Sequence, residues 1–462
     1  MDKSKSNQID MLNGNLTRAM LTFALPLIAT GMLQQSFNSV DIAVAGRFAG
    51  HGALAAVGCN GPVIGLIINM FLGLTIGVNV VIANYIGQRN SERVKRTVGA
   101  AMFMSVICGL IMMSVALFVS RPVHRLLGTP EDVMDQAVRY LQIMGYGMPF
   151  MIVYNFGAAV LRSIGDTKRP FYILVITGIL NVGLNFLFVV GFHMGVAGVA
   201  WGTVISTALN AAAIVYLLLR KGGDVTLFPS LIRPYSHETV KICKIGIPAG
   251  LQTTVFALSN VFILSAINTF GTAGAAGSAA ALNFEFYTYF VISAFAQTAT
   301  AFTGQNYGAK QISRIRRIFR LSLIMSLIAS AVMVLIILWQ RDLFLLAFTN
   351  EPEVLRYAGV RVCVVLGFQI IACYYECAGG TMRGMGHSMT PAIITIVGTC
   401  VLRLLWVYFF PYQGSFGALL AVYPVSWILT DIMMYIAMRR IVRRLPGWHI
   451  RPAAQVQHSI AK

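Results

Sequence analysis

Residues 20 to 46 form an apolar run of membrane length that carries Gln34, Gln35, Asn38, Asp41 and Arg47 at or beside its far end. Gln34, Asn38 and Asp41 are four and three residues apart, so a helix stacks them on one face, with Leu27, Met32, Phe37 and Val44 covering much of the remainder. An ionised carboxylate inside a bilayer costs roughly 2.5 to 3.5 kcal/mol on insertion scales, so Asp41 should be neutralised by a proton, a metal cation or a partner. Asn181 and Asn185, four apart on a later apolar run, share a face, and Thr203 opens the next run. Counted by helical rise, Asp41, Asn185 and Thr203 each lie roughly 8 to 14 Å from the same end of their helices, so they can meet. One carboxylate among neutral oxygen donors suits a hard monovalent cation, or a proton on the carboxylate with the amides satisfying its hydrogen bonds.

The elements that must hold these groups are membrane helices. The chain has 462 residues, 57% hydrophobic and 11% charged, with mean hydropathy +0.73, unlike any soluble domain of this length. Twelve apolar runs of spanning length lie at about 20–46, 54–83, 97–119, 136–160, 170–190, 195–219, 242–268, 275–303, 320–340, 355–380, 391–411 and 415–438. The first eighteen residues lack a small-residue cleavage site, so the first helix is expected to serve as the targeting signal. The net charge of +19 is distributed by topology: with the N-terminus cytoplasmic, the cytoplasmic segments hold 27 Lys and Arg. The outer segments hold seven (Arg47, Arg121, Arg125, Arg139, Arg341, Arg356, Arg361), and Arg403 sits inside a span. The basic excess is thus no sign of nucleic-acid binding. The seven cysteines lack paired CxxC spacing and are read as buried small apolar residues.

A shift of 221 residues superimposes the first half on the second. Tyr85 to Asn90 with Arg93 and Arg96 matches Asn306 to Gln311 with Arg314 and Arg317; Leu161-Arg162-Ser163-Ile164-Gly165 matches Met382-Arg383-Gly384-Met385-Gly386; Pro26 matches Pro248 with one residue added. Six spans per half make the repeats parallel, related by a pseudo-two-fold along the membrane normal, with substrate between or within the two bundles. The fold class is therefore all-α integral membrane protein, twelve helices in two six-helix bundles. The organisation reads as a tail 1–19, an N-terminal bundle 20–219, a linker 220–241, a C-terminal bundle 242–438 and a basic tail 439–462.

With the proline-bearing first helix, its Asn38 and Asp41, the stretch Gly50-His51-Gly52-Ala53-Leu54-Ala55-Ala56 and the paired glycine–arginine loops, the chain resembles the multidrug and toxic compound extrusion (MATE) transporters of bacterial type over residues 15 to about 440. The resemblance implies that Asp41, Asn181, Asn185 and Thr203 bind the coupling cation, H⁺ or Na⁺; in the sodium case Asp41, Asn181 and Asn185 would be its ligands. Asn155 also matches a family position, at a greater counted depth. Many relatives carry a second carboxylate where Asn185 stands, and some an acidic pair near Phe256 and Ile371; this chain has neither. For such polar groups the alternative is interhelical hydrogen bonding, worth roughly 0.6 to 2 kcal/mol each.

In the second half, the repeat places Phe262 or Ile263, Glu376, and Leu402 beside Arg403 opposite Asp41, Asn155 and Asn181. Arg403 is expected to pair with Glu376 and stand in for a bound ion. Glu285, flanked by Phe284, Phe286, Tyr287 and Tyr289 and without a matching cation in the sequence, reads either as a contact for a lipophilic cation or as a protonated core side chain. Gln34, Asn38, Glu285, Tyr287 and Glu376 are the candidate substrate contacts.

The expectation is a secondary antiporter, not an enzyme, exporting amphipathic or cationic small molecules against inward H⁺ or Na⁺. It requires no cofactor, acts as a monomer among membrane lipid and sits in the bacterial plasma (inner) membrane with both termini cytoplasmic. The alternative is a flippase for a polyprenyl-linked saccharide. That function calls for several Arg or Lys in the cavity, whereas the intramembrane charges read here are Asp41, Glu285 and Glu376 against Arg403. An enzyme would need catalytic groups clustered at a membrane face, and the loop histidines His124, His193, His237 and His387 lack metal-ligand spacing.

Overall fold

The computed structural model describes residues 8–49, 51–126, 129–220, 222–346, 350–410 and 414–445. Gly50 of the glycine-rich stretch, Lys221 of the linker, residues 1–7 of the first tail and 446–462 of the basic tail lie outside the described residues. Among the described residues there are twelve membrane-length helices: α1 Leu16–Phe48, α2 His51–Gly87, α3 Ser91–Leu126, α4 Glu131–Ser163, α5 Lys168–Gly191, α6 Val196–Arg220, α7 Ser236–Asn268, α8 Gly271–Gly308, α9 Ile312–Trp339, α10 Pro352–Gly384, α11 Met389–Phe409 and α12 Phe416–Arg443. No strand occurs among the described residues. Large apolar side chains such as Phe118, Ile176 and Leu335 are more than half exposed, which water would penalise and a hydrocarbon surround does not.

Two large cores form: one centres on α2, α3, α4 and α6 and takes in Ile242 and Ile245 of α7, and the other draws mainly on α7, α10 and α12. The linker joins the first core, since Val225 and Leu227 are buried in it and Leu227 N–H donates to the Leu218 carbonyl at 3.0 Å.

The halves meet at the end of the molecule where residues 8–15 and the arginine loops lie. There α2 crosses α7 with backbones in contact: a Cβ on Gly73 would overlap Gly250, and one on Gly246 would lie 2.6 Å from Leu74 Cα. Small residues permit this approach. Gln305 Nε2 donates to the Ser163 carbonyl at 2.6 Å and Asn84 Nδ2 to the Gly384 carbonyl at 3.3 Å, so amides of α8 and α2 tie α4 and α10 into the same floor. Further along α2, a Cβ on Gly58, Gly61 or Gly65 meets nothing within 4 Å. The interface is closed at the loop-bearing end and parted towards the other.

The leading segment straps this floor. Met11 is 1% exposed, its carbonyl accepts from Asn306 Nδ2 at 3.0 Å, and the Asn13 carbonyl accepts from Arg314 Nη2 at 3.1 Å. On the other half, Gly165 takes φ +86° against the backbone of Ile9, a conformation and a closeness that suit glycine.

Three departures from regular helix fall near charged residues. Wide π-type turns run over Val362–Leu366, just after Arg361, and Ile396–Val401, just before Arg403; a tight 3₁₀ turn follows at Gln369–Ile371. Such turns in membrane helices are tolerated where they are buried in protein or line a cavity.

Candidate functional site

Two sites share α1 as a wall. On its first-half side, Asp41 is half-buried and joined to α5 and α6: Asn185 Nδ2 donates to Asp41 Oδ1 at 2.5 Å, and Thr203 Oγ1 lies 3.4 Å from Asp41 Oδ2. Asn181 Nδ2 donates to Thr203 Oγ1 at 3.3 Å, while Asn185 Nδ2 also reaches Asn181 Oδ1 at 3.4 Å. The Thr203 hydroxyl has one proton and also faces its own helix's Val199 carbonyl at 3.0 Å, so it donates to one at a time. Close helix approach makes the cluster possible. The Phe37 ring of α1 occupies the space where a Cβ on Gly178 of α5 would stand, and Asn185 does the same at Gly202 of α6.

In this arrangement the Asn185 amide points its NH₂ at the carboxylate, and its Oδ1 is buried without a hydrogen-bond partner. A metal cation beside Asp41 would be met by oxygen, so binding Na⁺ there calls for that amide to turn over; a proton on Asp41 calls for a new donor–acceptor pairing within the same four side chains. Both fit one carboxylate among amide and hydroxyl groups.

On its other side α1 borders a central chamber of about 890 Å³, to which it contributes Phe23, Leu27, Thr30, Gly31 and Gln34. Asp41 is not part of this lining. Asn155 lines the chamber and donates to its own helix's Met151 carbonyl at 2.9 Å, apart from the Asp41 cluster. Asn38 is exposed and Tyr287 half-buried, neither on the chamber wall; on α8 it is Glu285, Phe286, Tyr289 and Phe290 that face it.

The charges of the chamber correct the sequence expectation. Glu285 has a cation: Arg361 Nε and Nη2 grip its Oε1 and Oε2 at 2.6 and 3.0 Å, and Arg361 Nη1 donates to Ser278 Oγ at 2.5 Å. Arg361, expected in an outer segment, is 4% exposed. The signal was present, because Val354, Ala358 and Arg361 stand four and three apart on one buried face. Arg403 does not pair with Glu376. Its Nη1 donates to Asn260 Oδ1 at 2.9 Å, its Nε to Ser426 Oγ at 3.4 Å, and its guanidinium lies over the rings of Tyr423 and Phe256 with 4.4 and 5.0 Å to their centroids. Glu376 instead feels the charge of Arg383. Arg162, Arg361, Arg383 and Arg403 all border the chamber, with Glu285 and Glu376 as its acidic members. The anticipated acidic predominance is reversed, because Arg162 and Arg383, counted as loop charges, turn inward from the last turns of α4 and α10.

Asp431 of α12 is a further intramembrane carboxylate that hydropathy alone had absorbed into its span. It accepts the Tyr375 backbone N–H at 2.9 Å, in the first turn of regular helix after the tight turn in α10. The seven cysteines are free thiols; four are buried, Cys59 and Cys243 are half-buried, and Cys363 is exposed, against the expectation of burial for all.

The MatE family model matches twice, over residues 26–187 and 248–409, once in each half. Over 387 residues the chain is 27% identical to the probable multidrug resistance protein YoeA of Bacillus subtilis, covering 82% of this chain and 83% of that one. It is 23% identical to the probable multidrug resistance protein NorM of Thermotoga maritima, with 84% of each covered. A solved structure, the outward-facing conformation of a multidrug resistance MATE family transporter of the MOP superfamily, superimposes with TM-score 0.88 at 21% identity, covering 96% of this chain and 99% of the other.

Proposed function

This chain belongs to the MatE family of membrane transporters, and from that premise we propose that it is a secondary antiporter that exports small amphipathic molecules against inward H⁺ or Na⁺ taken up at Asp41. The observation that carries this reading is the double duty of α1. One helix holds Asp41 in the Asn185–Thr203 cluster on one side and lines the chamber from Phe23 to Gln34 on the other.

Binding a cation at Asp41 rearranges its hydrogen bonds to α5 and α6, and α1 moves with them. Pro26 sits within α1 and has no N–H to give the Thr22 carbonyl, so the helix has a point of reduced backbone bonding at which to bend. Movement there changes the chamber wall and so its affinity for cargo. With both termini cytoplasmic in a bacterial inner membrane, the closed end faces the cytoplasm and the chamber opens outward. Return requires the two bundles to rock about the α2–α7 contact. The names of the relatives favour a multidrug exporter over a polyprenyl-saccharide flippase.

Proteoliposomes loaded with a fluorescent amphipathic dye test this. Efflux under an imposed proton or sodium gradient is expected in wild type and lost in Asp41→Asn, and the gradient that works names the ion. Efflux equal in mutant and wild type removes Asp41 from the coupling step.

A further inference from the structure

We propose that the chamber selects amphipathic organic anions, compounds with a carboxylate or phosphate-type head on an aromatic or aliphatic body. The inference rests on the exporter reading only for the direction of transport; the binding preference stands on the chamber itself.

Four arginines face two glutamates on its wall, a formal excess of two positive charges. These cations are unequal. Arg361 donates to both carboxylate oxygens of Glu285, so that pair is closed to a ligand and contributes little net field. Arg383 has Glu376 as its acidic neighbour, with Nη2 3.4 Å from Gln252 Oε1 and Nε without a partner. Arg162 and Arg403 have no carboxylate in ion-pair contact among the described residues. A guanidinium keeps its charge under all physiological conditions, and an uncompensated charge within the bilayer is costly. Arg403 is 1% exposed; neutral oxygens and two ring faces partly balance it, and its Nη2 has no protein partner.

The missing negative charge is what an anionic ligand brings. The wide turns after Arg361 and before Arg403 have no counterpart in α4 and the first part of α5, which are regular there. They place the extra cations specifically on the second-half wall. Arg162 and Arg383, at matching repeat positions, bring one guanidinium from each half to the closed end of the chamber. Phe256, Tyr289, Phe290, Tyr375 and Trp427 also line the chamber, surfaces suited to a ligand's apolar body. An organic cation would find there only Glu285 and Glu376, the first already taken.

The test uses purified full-length protein in neutral-lipid nanodiscs and two matched dyes of one aromatic body, one bearing a carboxylate and the other a quaternary ammonium. No gradient is present, so failure of the Asp41 coupling step leaves the result untouched. The carboxylate dye is expected to bind at least about tenfold tighter. Arg162→Gln and Arg403→Gln should each weaken it about tenfold, while Arg162→Lys and Arg403→Lys, which keep the charge, retain most of the affinity. Equal or tighter binding of the quaternary ammonium dye by wild type overturns the proposal, as does an unchanged carboxylate affinity in the Gln variants. Should Arg403→Gln fail to fold, the half-buried Arg162 decides the matter. Displacement of the dye by added phosphatidylglycerol would overturn the soluble-anion assignment in favour of a lipid headgroup; persistence of binding supports it.

Discussion

Removing either member of the Glu285–Arg361 pair strands the other's charge beside the chamber. Truncating one partner of a buried ion pair costs about 3 to 5 kcal/mol, whereas removing both together costs far less. Glu285→Gln and Arg361→Gln are each expected to lower the thermal unfolding midpoint more than the double variant does; a double variant as unstable as the sum of the singles would show that the pair is not a closed unit. Arg403 differs, since its partners are Asn260, Ser426 and two rings. Asn260→Leu should therefore destabilise the protein by leaving a second guanidinium nitrogen unpaired, a loss of about 1 to 3 kcal/mol by the same unfolding measurement. Glu376→Gln removes no such bond and should be mild.

At the scale of elements, α2 and α7 decide which end of the chamber is shut. Their crossing depends on Gly73, Gly246 and Gly250 having no side chain, so Gly73→Leu is expected to wedge the closed end apart. Spin labels at the exposed positions Gln88 and Lys310, in a background lacking the exposed Cys363, should report a longer distance in that variant; an unchanged distance would mean that the crossing does not set the closed state. The strap of residues 8–14 works against the same opening, because Ile9 lies on Gly165 of one half while Met11 and Asn13 are tied to α8 and α9 of the other. Reopening that end requires this strap to release at least one half.

For the whole molecule, cargo charge sets the driving force. A proton entering as a monoanion leaves moves two positive charges inward, worth about 8 kcal/mol at 180 mV, or roughly a millionfold gradient. A monovalent cation exchanged for one proton would cancel the electrical term. Current recorded from proteoliposomes on a solid support should accordingly rise when the carboxylate dye is exported, and an imposed membrane potential without a pH difference should suffice to drive it. Electrically silent export would contradict one-for-one proton–anion exchange.

The sequence by itself determined the twelve spans, the duplication and the group formed by Asp41, Asn181, Asn185 and Thr203, because these follow from quantities counted along a chain. Span length, helical period, repeat register and depth from a helix end all survive into three dimensions when helices are forced to cross the same slab. What only the tertiary structure decided was the partner of each charge. Whether Arg361 meets Glu285, whether Arg403 meets Glu376, and whether Arg162 points inward depend on the rotation of each helix about its axis and on π-type and 3₁₀ turns that shift that rotation by part of a turn. Hydropathy is blind to both. The sign of the chamber therefore reversed from acidic to basic once the helices were packed, and packing likewise chose a place between the two halves where the repeat allowed one between or within them.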